Sequence, residues 1–170
     1  MAEGAAVITH PIPAFYDEDS RILILGSFPS VKSREQLFFY GHPQNRFWKV
    51  LTGVCTSEEL INTPGTVDEK KAFLQEHHIA LWDVIASCRI TGSSDASIRD
   101  VVPNDIGKIL GGADFRAIYT NGGKAFDLYR RYILPQTGRE AVRLPSTSPA
   151  NAAYSVERLI DEWKIIRRSI

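Results

Sequence analysis

Four short runs of apolar residues punctuate the chain, each bounded by polar residues, glycine or proline. They cover residues 21–26, 79–85, 116–122 and 141–146. Within each run the apolar positions are nearly continuous rather than alternating, which is typical of strands buried on both faces of a parallel sheet. We therefore predict four buried strands, one in each run.

Helical patterns fill most of the sequence between these runs, with apolar residues recurring every three or four positions. The predicted helices span residues 45–54, 67–78, 104–112, 123–134 and 155–170. Ser155 is the expected N-cap of the last helix. Pro135 is expected to stop the helix before it, because proline lacks the backbone N–H that continues a helix.

Alternating strands and helices indicate βαβ units, which build a parallel sheet covered on both faces. We predict an α/β fold with three layers (α/β/α) and a central, mostly parallel four-stranded sheet. Residues 1–170 are expected to form a single domain, with residues 1–20 as an N-terminal extension. Ligands of such folds bind beyond the carboxyl ends of the strands. The loops that follow the first and last strands are therefore the informative ones.

Composition narrows the possible functions. The chain has 170 residues, of which 44% are hydrophobic and 24% charged, as in ordinary globular proteins. Its formal net charge is zero, which argues against tight non-specific DNA binding but allows a few phosphate contacts from backbone amides. The first residues lack a signal-peptide pattern and no run could span a bilayer, so a cytosolic protein without membrane contact is expected.

Cofactor and metal motifs are absent from the sequence. Cys55 and Cys88 are the only cysteines and are expected to be reduced thiols. With four histidines and no HExxH motif, we expect no metal and no cofactor. The segment "NGGKA" follows a predicted strand but lacks the spacing of a phosphate-binding P-loop, and neither GxGxxG nor GxSxG occurs.

Two polar loops remain as candidate sites: "GSFPSVKSREQLFFYGHPQN" after the first strand and "LPSTSPANAAY" after the last. The serines, threonine and prolines of the second loop form a donor-rich turn ahead of a helix, which suits a phosphate. Such a turn is also explained by helix capping alone. The functional interpretation depends on both loops meeting at one edge of the sheet.

Three motifs in these loops carry a resemblance. They are Gly26-Ser27-Phe28-Pro29-Ser30, Tyr40 followed by Asn45-Arg46-Phe47-Trp48, and Leu144-Pro145-Ser146-Thr147-Ser148-Pro149-Ala150-Asn151. Together they resemble the motifs of the uracil-DNA glycosylase superfamily, in particular its hypoxanthine (deoxyinosine) branch, which is related to the mismatch-specific uracil/thymine glycosylases. The segments "TGSSDAS" and "TNGGKAF" also resemble that branch. The similarity covers most of the chain from Arg21 onward.

The resemblance implies a monofunctional, monomeric glycosylase of base excision repair, acting on DNA that contains deaminated bases, chiefly hypoxanthine. Phe28 stands where the superfamily carries a water-positioning Asp or Asn, so the resemblance assigns that role to Asn45. It implies these base-binding residues: Gly26, Ser27, Phe28, Pro29, Tyr40, His42 and Asn121. It implies these DNA contacts: Ser30, Lys124, Ser146, Thr147, Ser148, Pro149, Ala150 and Asn151. Ala150 stands at the position where relatives carry a bulkier side chain, the wedge, which enters the duplex behind the flipped base.

Structural alternatives stay open for several of these residues. Asn45 could serve only as a helix N-cap, Tyr40 could belong to the core, and Asn121 could only shape the turn after its strand. The function also has rivals: excision of uracil, xanthine or ethenocytosine, a non-catalytic domain that binds a nucleotide or damaged base, or a hydrolase of free nucleosides.

Overall fold

The computed structural model describes residues 6–56 and 62–170. The strands are β1 Val7–Thr9, β2 Ile22–Gly26, β3 Ile79–Asp83, β4 Ile85–Arg89, β5 Arg99–Pro103, β6 Ala117–Asn121 and β7 Val142–Leu144. The helices are α1 Val31–Gln36, α2 Phe47–Thr56, α3 Val67–Glu76, α4 Ile106–Leu110, α5 Gly123–Leu128, α6 Leu134–Thr137 and α7 Val156–Trp163.

The four predicted strands are confirmed as a parallel sheet in the order β3-β2-β6-β7. The central strand β2 is fully buried on both faces. Its Ile22 and Ile24 pack into a cluster with α2, α3 and α7, whereas Leu23 and Leu25 pack into a second cluster with α4 and α5. Burial on both faces removes the need for polar positions, which explains the continuous apolar run.

The helices that cover the sheet follow the predicted apolar stripes. Helix α2 packs against α7, where the rings of Phe47 and Trp163 meet edge to face with centroids 5.9 Å apart. Ser155 is confirmed as the N-cap of α7, since its Oγ accepts the Arg158 N–H at 3.1 Å. None of the helices in the described residues is both long enough and apolar enough to cross a membrane.

The prediction that Pro135 stops a helix is wrong. A π-helical turn, Tyr129–Ile133, links α5 to α6, and the chain stays helical through Pro135 to Thr137. A wider turn of this kind relieves the clash between a proline ring and the preceding turn of an α-helix. The helix ends instead at Gly138, which adopts the left-handed conformation with φ 67°.

A second, antiparallel sheet of order β1-β4-β5 was not expected from the sequence. Only Val84 separates β3 from β4, and the predicted strand 79–85 runs across this break into the first residue of β4. Helix α1 was also missed, because its six residues, VKSREQ, are mostly polar and lie within the first polar loop. Ser30 caps this helix by accepting the Ser33 N–H at 3.2 Å. Of these two additions, helix α1 borders the pocket described next, through Ser33 and its cap Ser30.

Candidate active site

A pocket of about 320 Å³ opens at the carboxyl ends of the parallel strands. Both polar loops contribute to it, as the sequence predicted. The predicted residues that line it are Gly26, Ser27, Phe28, Pro29, Ser30, Tyr40, His42, Asn45, Asn121, Ser146, Thr147, Ser148, Pro149 and Ala150. An adjoining groove of about 590 Å³ includes Asn151 together with Gly123, Arg143 and Tyr154. Lys124 lines neither cavity but lies close enough to Asp95 to influence its charge.

Asn45 lies two residues ahead of α2 and is fixed by its carbonyl oxygen. Its Oδ1 accepts the backbone N–H of Phe47 at 3.0 Å and the hydroxyl of Thr147 at 2.8 Å. The first of these bonds satisfies the first N–H of α2 from just before the N-cap position, and the second ties the first polar loop to the last. Because both bonds end on Oδ1, the amide Nδ2 is the polar atom that Asn45 offers to the pocket.

Thr147 joins two asparagines across the pocket. It is fully buried, and its Oγ1 donates to Asn45 while accepting the Nδ2–H of Asn121 at 3.0 Å. Its own backbone N–H donates to Asn121 Oδ1 at 3.0 Å. A backbone N–H can only donate, so the orientation of the Asn121 amide is fixed as well. The buried hydroxyl of Thr147 therefore helps to fix the position of the Asn45 side chain.

Tyr40 presents an aromatic ring to the pocket. One face of the ring stacks on Phe47 with centroids 3.8 Å apart. The phenolic oxygen is buried and has no hydrogen-bond partner among the described residues. Burial, with the negative charge of Asp83 second, raises the pKa of Tyr40 well above its ordinary value, so the group stays a neutral phenol.

Phe28 gives the pocket an apolar surface where a water-binding side chain was expected from the superfamily pattern. It is only 8% exposed, and its ring meets the ring of His10 edge to face with centroids 5.8 Å apart. The guanidinium of Arg34 lies 5.6 Å from the ring centroid. Phenylalanine offers no hydrogen-bonding atom, so the polar chemistry of the pocket must come from other residues.

Asp83, at the end of β3, is a pocket residue that the sequence analysis missed. It is buried, and its Oδ2 accepts the Nε2–H of His10 at 2.7 Å. The other ring nitrogen of His10 accepts the Ile12 N–H at 3.1 Å, which assigns the imidazole proton to Nε2. A Cβ on Gly26 would lie 2.4 Å from Asp83 Oδ1, so the first motif needs glycine at this point.

Asp95 is the second carboxylate that the sequence analysis missed, although its motif "TGSSDAS" was singled out. It begins a 3₁₀ turn, Asp95–Ser97, and its Oδ1 accepts the Ser27 hydroxyl at 2.9 Å. Partial burial raises the pKa of Asp95, while the bond from Ser27 and the charge of Lys124 oppose that shift. Asp83 adds to it through like-charge repulsion.

Arg46 holds the last loop against the start of α2. Its guanidinium donates to four carbonyl oxygens of that loop, those of Thr147, Ser148, Asn151 and Tyr154. A planar guanidinium with five N–H groups is suited to such a cluster, whereas a lysine can satisfy it only in part. This contact brings the two polar loops together at the pocket.

Replacing Arg46 by alanine should lower the free energy of unfolding by about 2–4 kcal/mol, because four partly buried carbonyls lose a charged donor. Chemical denaturation of both proteins measures this difference. Arg46→Lys is the matched control and should fall between them. An alanine variant as stable as the wild type would contradict the proposed importance of the contact.

The comparison with protein families agrees with this arrangement. Residues 13–167 match the model of the uracil DNA glycosylase superfamily, which is nearly the whole chain. The chain belongs to that superfamily. The glycosylase motifs are thus the segments that build the pocket in this structure.

Relatives within the superfamily point to one branch. The chain is 36% identical to a hypoxanthine DNA glycosylase from Methanosarcina acetivorans, over 95% of this chain and 99% of that protein. It is 34% identical to a hypoxanthine DNA glycosylase from Methanosarcina barkeri, over 82% of this chain and 85% of that protein. A solution NMR structure from M. acetivorans, assigned to the uracil DNA glycosylases, superposes with a TM-score of 0.78 at 34% identity. It covers 96% of this chain and 98% of that one.

Signals for the missed residues were present in the sequence only in part. Asp83 ends β3, but the predicted strand ran on to residue 85 and so placed Asp83 inside it, where the rule that favours polar residues at carboxyl ends did not apply. Asp95 lay in a noted motif without an assigned role. Nothing in the local sequence indicated that His10 contacts Asp83, because 73 residues separate them.

Proposed function

We propose that this superfamily member is a monofunctional DNA glycosylase of base excision repair, and that it hydrolyses the N-glycosidic bond of deoxyinosine in DNA. The observation that carries the proposal is the anchored amide of Asn45. It offers an N–H group to a pocket in which Phe28 has replaced the usual water-binding side chain. Similarity to hypoxanthine DNA glycosylases over nearly the full length supports the choice of base.

Access to the bond requires that the nucleotide leave the duplex. Extrusion costs a few kcal/mol of stacking and pairing, and less for a mispaired base such as hypoxanthine. The pocket volume of about 320 Å³ lies within the range of small-molecule sites, ~300–1,000 Å³. The ring of Tyr40 supplies a stacking surface for the base, worth about 1–3 kcal/mol. Donors along the Ser27–Phe28 turn would stabilise charge that develops on the departing base.

Asn45 would position the attacking water. Its Oδ1 already accepts two hydrogen bonds, so the amide holds the water by donating from Nδ2 to the water oxygen. The bond between C1′ and N9 breaks with its electron pair leaving on the purine, which takes up a proton from solvent to become neutral hypoxanthine. The water oxygen then bonds to C1′ and releases its proton to solvent. A dissociative reaction of this kind depends on the placement of the water more than on its deprotonation.

The groove beside the pocket is the proposed path of the DNA backbone. Arg143 lies over the start of α5, where a Cβ on Gly123 would be 2.7 Å from its Nη2. Asn151 shapes the neighbouring turn, since its Nδ2 donates to the Ser146 carbonyl at 3.0 Å. Pro149 and Ala150 are exposed at the tip of this turn and would enter the duplex.

Excision assays test the proposal. The protein is incubated, without added metal, with end-labelled duplex DNA that carries one deoxyinosine or one deoxyuridine, and hot alkali then reveals abasic sites. We expect cleavage at inosine well above cleavage at uracil. Cleavage chiefly at uracil would contradict the hypoxanthine assignment, and intact DNA at both bases would contradict a glycosylase.

Enlarging Ala150 tests the proposed wedge. If the tip of the turn fills the space left by the flipped nucleotide, Ala150→Leu should raise excision from duplex DNA by several-fold and change excision from single strands little. The ratio of the two rates is the readout. Equal changes on both substrates would contradict the placement of the wedge at this residue.

A further inference from the structure

Three polar side chains in the pocket have their acceptor atoms occupied by backbone N–H groups. The pairs are Phe47 N–H to Asn45 Oδ1 at 3.0 Å, Thr147 N–H to Asn121 Oδ1 at 3.0 Å, and Gln44 N–H to His42 Nδ1 at 3.1 Å. Because a backbone N–H can only donate, both amide orientations are fixed, and a neutral His42 carries its proton on Nε2. These side chains therefore offer N–H donors to a bound base.

The anionic acceptors of the pocket are the carboxylates of Asp83 and Asp95, and the two differ in exposure. Asp83 is buried and bound to His10 at 2.7 Å. Asp95 stands at the exposed side of the pocket wall, and only its Oδ1 is occupied, by the Ser27 hydroxyl. Its Oδ2 has no hydrogen bond to any described residue. Asp83 Oδ1 likewise has no hydrogen bond to a described residue, but the Asp83 side chain is buried. Asp95 is therefore the carboxylate that a base reaches first from the exposed side of the pocket.

The loop that carries Asp95 is held firmly against the first motif. The Val31 N–H donates to Ser93 Oγ at 3.0 Å, and Arg34 Nη2 donates to the Gly92 carbonyl at 2.9 Å. With the Ser27 bond, three contacts fix this loop to the segment that follows β2. A carboxylate held in this way loses little conformational entropy when it binds a base.

The hydrogen-bonding pattern of hypoxanthine matches this arrangement. Its ring offers three acceptors, O6, N7 and N3, and one donor, N1–H. Adenine has a lone pair at N1 and an amino group in place of O6. Its N1 would therefore face a carboxylate with a lone pair, where hypoxanthine offers the N1–H donor. On the basis of the proposed function, we propose that Asp95 is the residue that selects the base, by accepting the N1–H of the flipped hypoxanthine.

The charge of Asp95 gives the proposal a pH signature. Burial raises its pKa, and the charges that act on it are those of Lys124, which opposes the shift, and Asp83, which adds to it. Two further groups lie nearby. Tyr40 adds no charge because it stays a neutral phenol, and Arg143 lines the adjoining groove. As pH falls, a carboxyl with a raised pKa is protonated sooner than an ordinary aspartate and loses the anionic acceptor. Inosine excision should therefore decline on the acid side earlier than an ordinary aspartate would allow.

The test is Asp95→Asn with two substrates, 2′-deoxyinosine and 2′-deoxynebularine, a purine that lacks O6 and has a lone pair at N1. Single-turnover rates are measured with enzyme in saturating excess. The amide keeps an oxygen for Ser27 but turns an N–H toward the base. We expect inosine excision to fall about tenfold or more, and the inosine-to-nebularine ratio to fall with it. The acid limb of the pH profile should also move.

Asp100→Asn is the matched control, because it makes the same change at an exposed ion pair with Arg89 outside the pocket. It should leave both rates unchanged. Thermal unfolding of both variants verifies that each is folded. An Asp95→Asn variant with the wild-type ratio, or with equal losses on both substrates, would overturn the proposal. Failure of the wild type to release hypoxanthine at all would instead overturn the proposed function, whatever Asp95 does.

Discussion

Replacing Asn45 by alanine should slow the release of hypoxanthine from DNA by about 100-fold or more, while DNA affinity changes by less than about threefold. The amide is anchored through its oxygen and offers only Nδ2–H to the pocket, so its removal deletes the group that places the water. Single-turnover rates measure the loss. Binding is measured by fluorescence anisotropy with DNA that carries an uncleavable 2′-fluoroarabino-inosine.

Asn45→Ser separates catalysis from helix capping. Serine keeps an oxygen that can accept the Phe47 N–H, so α2 should keep its start and the thermal midpoint should fall less than in the alanine variant. The amide N–H is absent, so the rate should be as low as in the alanine variant. A serine variant with the wild-type rate would leave Asn45 with only its structural role.

Thr147→Val should slow hypoxanthine release by about 10- to 100-fold, although Thr147 has no exposed surface with which to touch DNA. Valine keeps the shape of threonine but loses the hydroxyl that donates to Asn45 and accepts from Asn121. Asn45 Oδ1 and Asn121 Nδ2, both on half-buried residues, then each lose one hydrogen bond, which should also cost about 1–3 kcal/mol of stability. Thr147→Ser restores the hydroxyl and should recover most of the rate.

A double-mutant cycle distinguishes positioning from a general loss of structure. If Thr147 acts through Asn45, valine at position 147 should cost little further activity once Asn45 is alanine. The four proteins are compared by single-turnover rates at a temperature where each is folded. Equal losses from Thr147→Val in both backgrounds would contradict the coupling.

The parallel sheet was predictable because its strands are buried on both faces. Ile24 and Leu25 point to opposite faces of the sheet, and each is buried in a hydrophobic cluster. Apolar residues therefore follow one another in the strand instead of alternating with polar ones. The position of the pocket followed from the same sheet, since the ends of parallel strands meet at one edge. This rule selected the two polar loops, whereas the roles of Asn45 and Asn121 came from the resemblance to the glycosylase motifs.

Other features depend on contacts that local sequence does not encode. Strand β1 pairs with β4 across 80 or so residues of chain, and His10 reaches Asp83 only because of that pairing. Arg46 resembles any other surface arginine until the last loop folds over it. The donor character of the pocket is likewise invisible in the sequence, because it depends on which amide atom a backbone N–H occupies.

The charge balance of the protein fits a site that recognises one nucleotide rather than a long stretch of DNA. The net charge is zero, and the basic groups near the pocket are few, Arg143 and Lys124 among them. Binding should therefore weaken less steeply with salt than in a strongly basic protein. Selectivity would come from the pocket itself.

The measurement that tests the central claim most directly is detection of the free base. Duplex DNA with one deoxyinosine is incubated with excess protein, and the small molecules released are identified and quantified by mass spectrometry beside the abasic sites that remain. The account predicts free hypoxanthine in equal amount to abasic sites, and neither product with Asn45→Ala on the same timescale. Bound but intact DNA, or release of hypoxanthine from the free nucleoside alone, would contradict it.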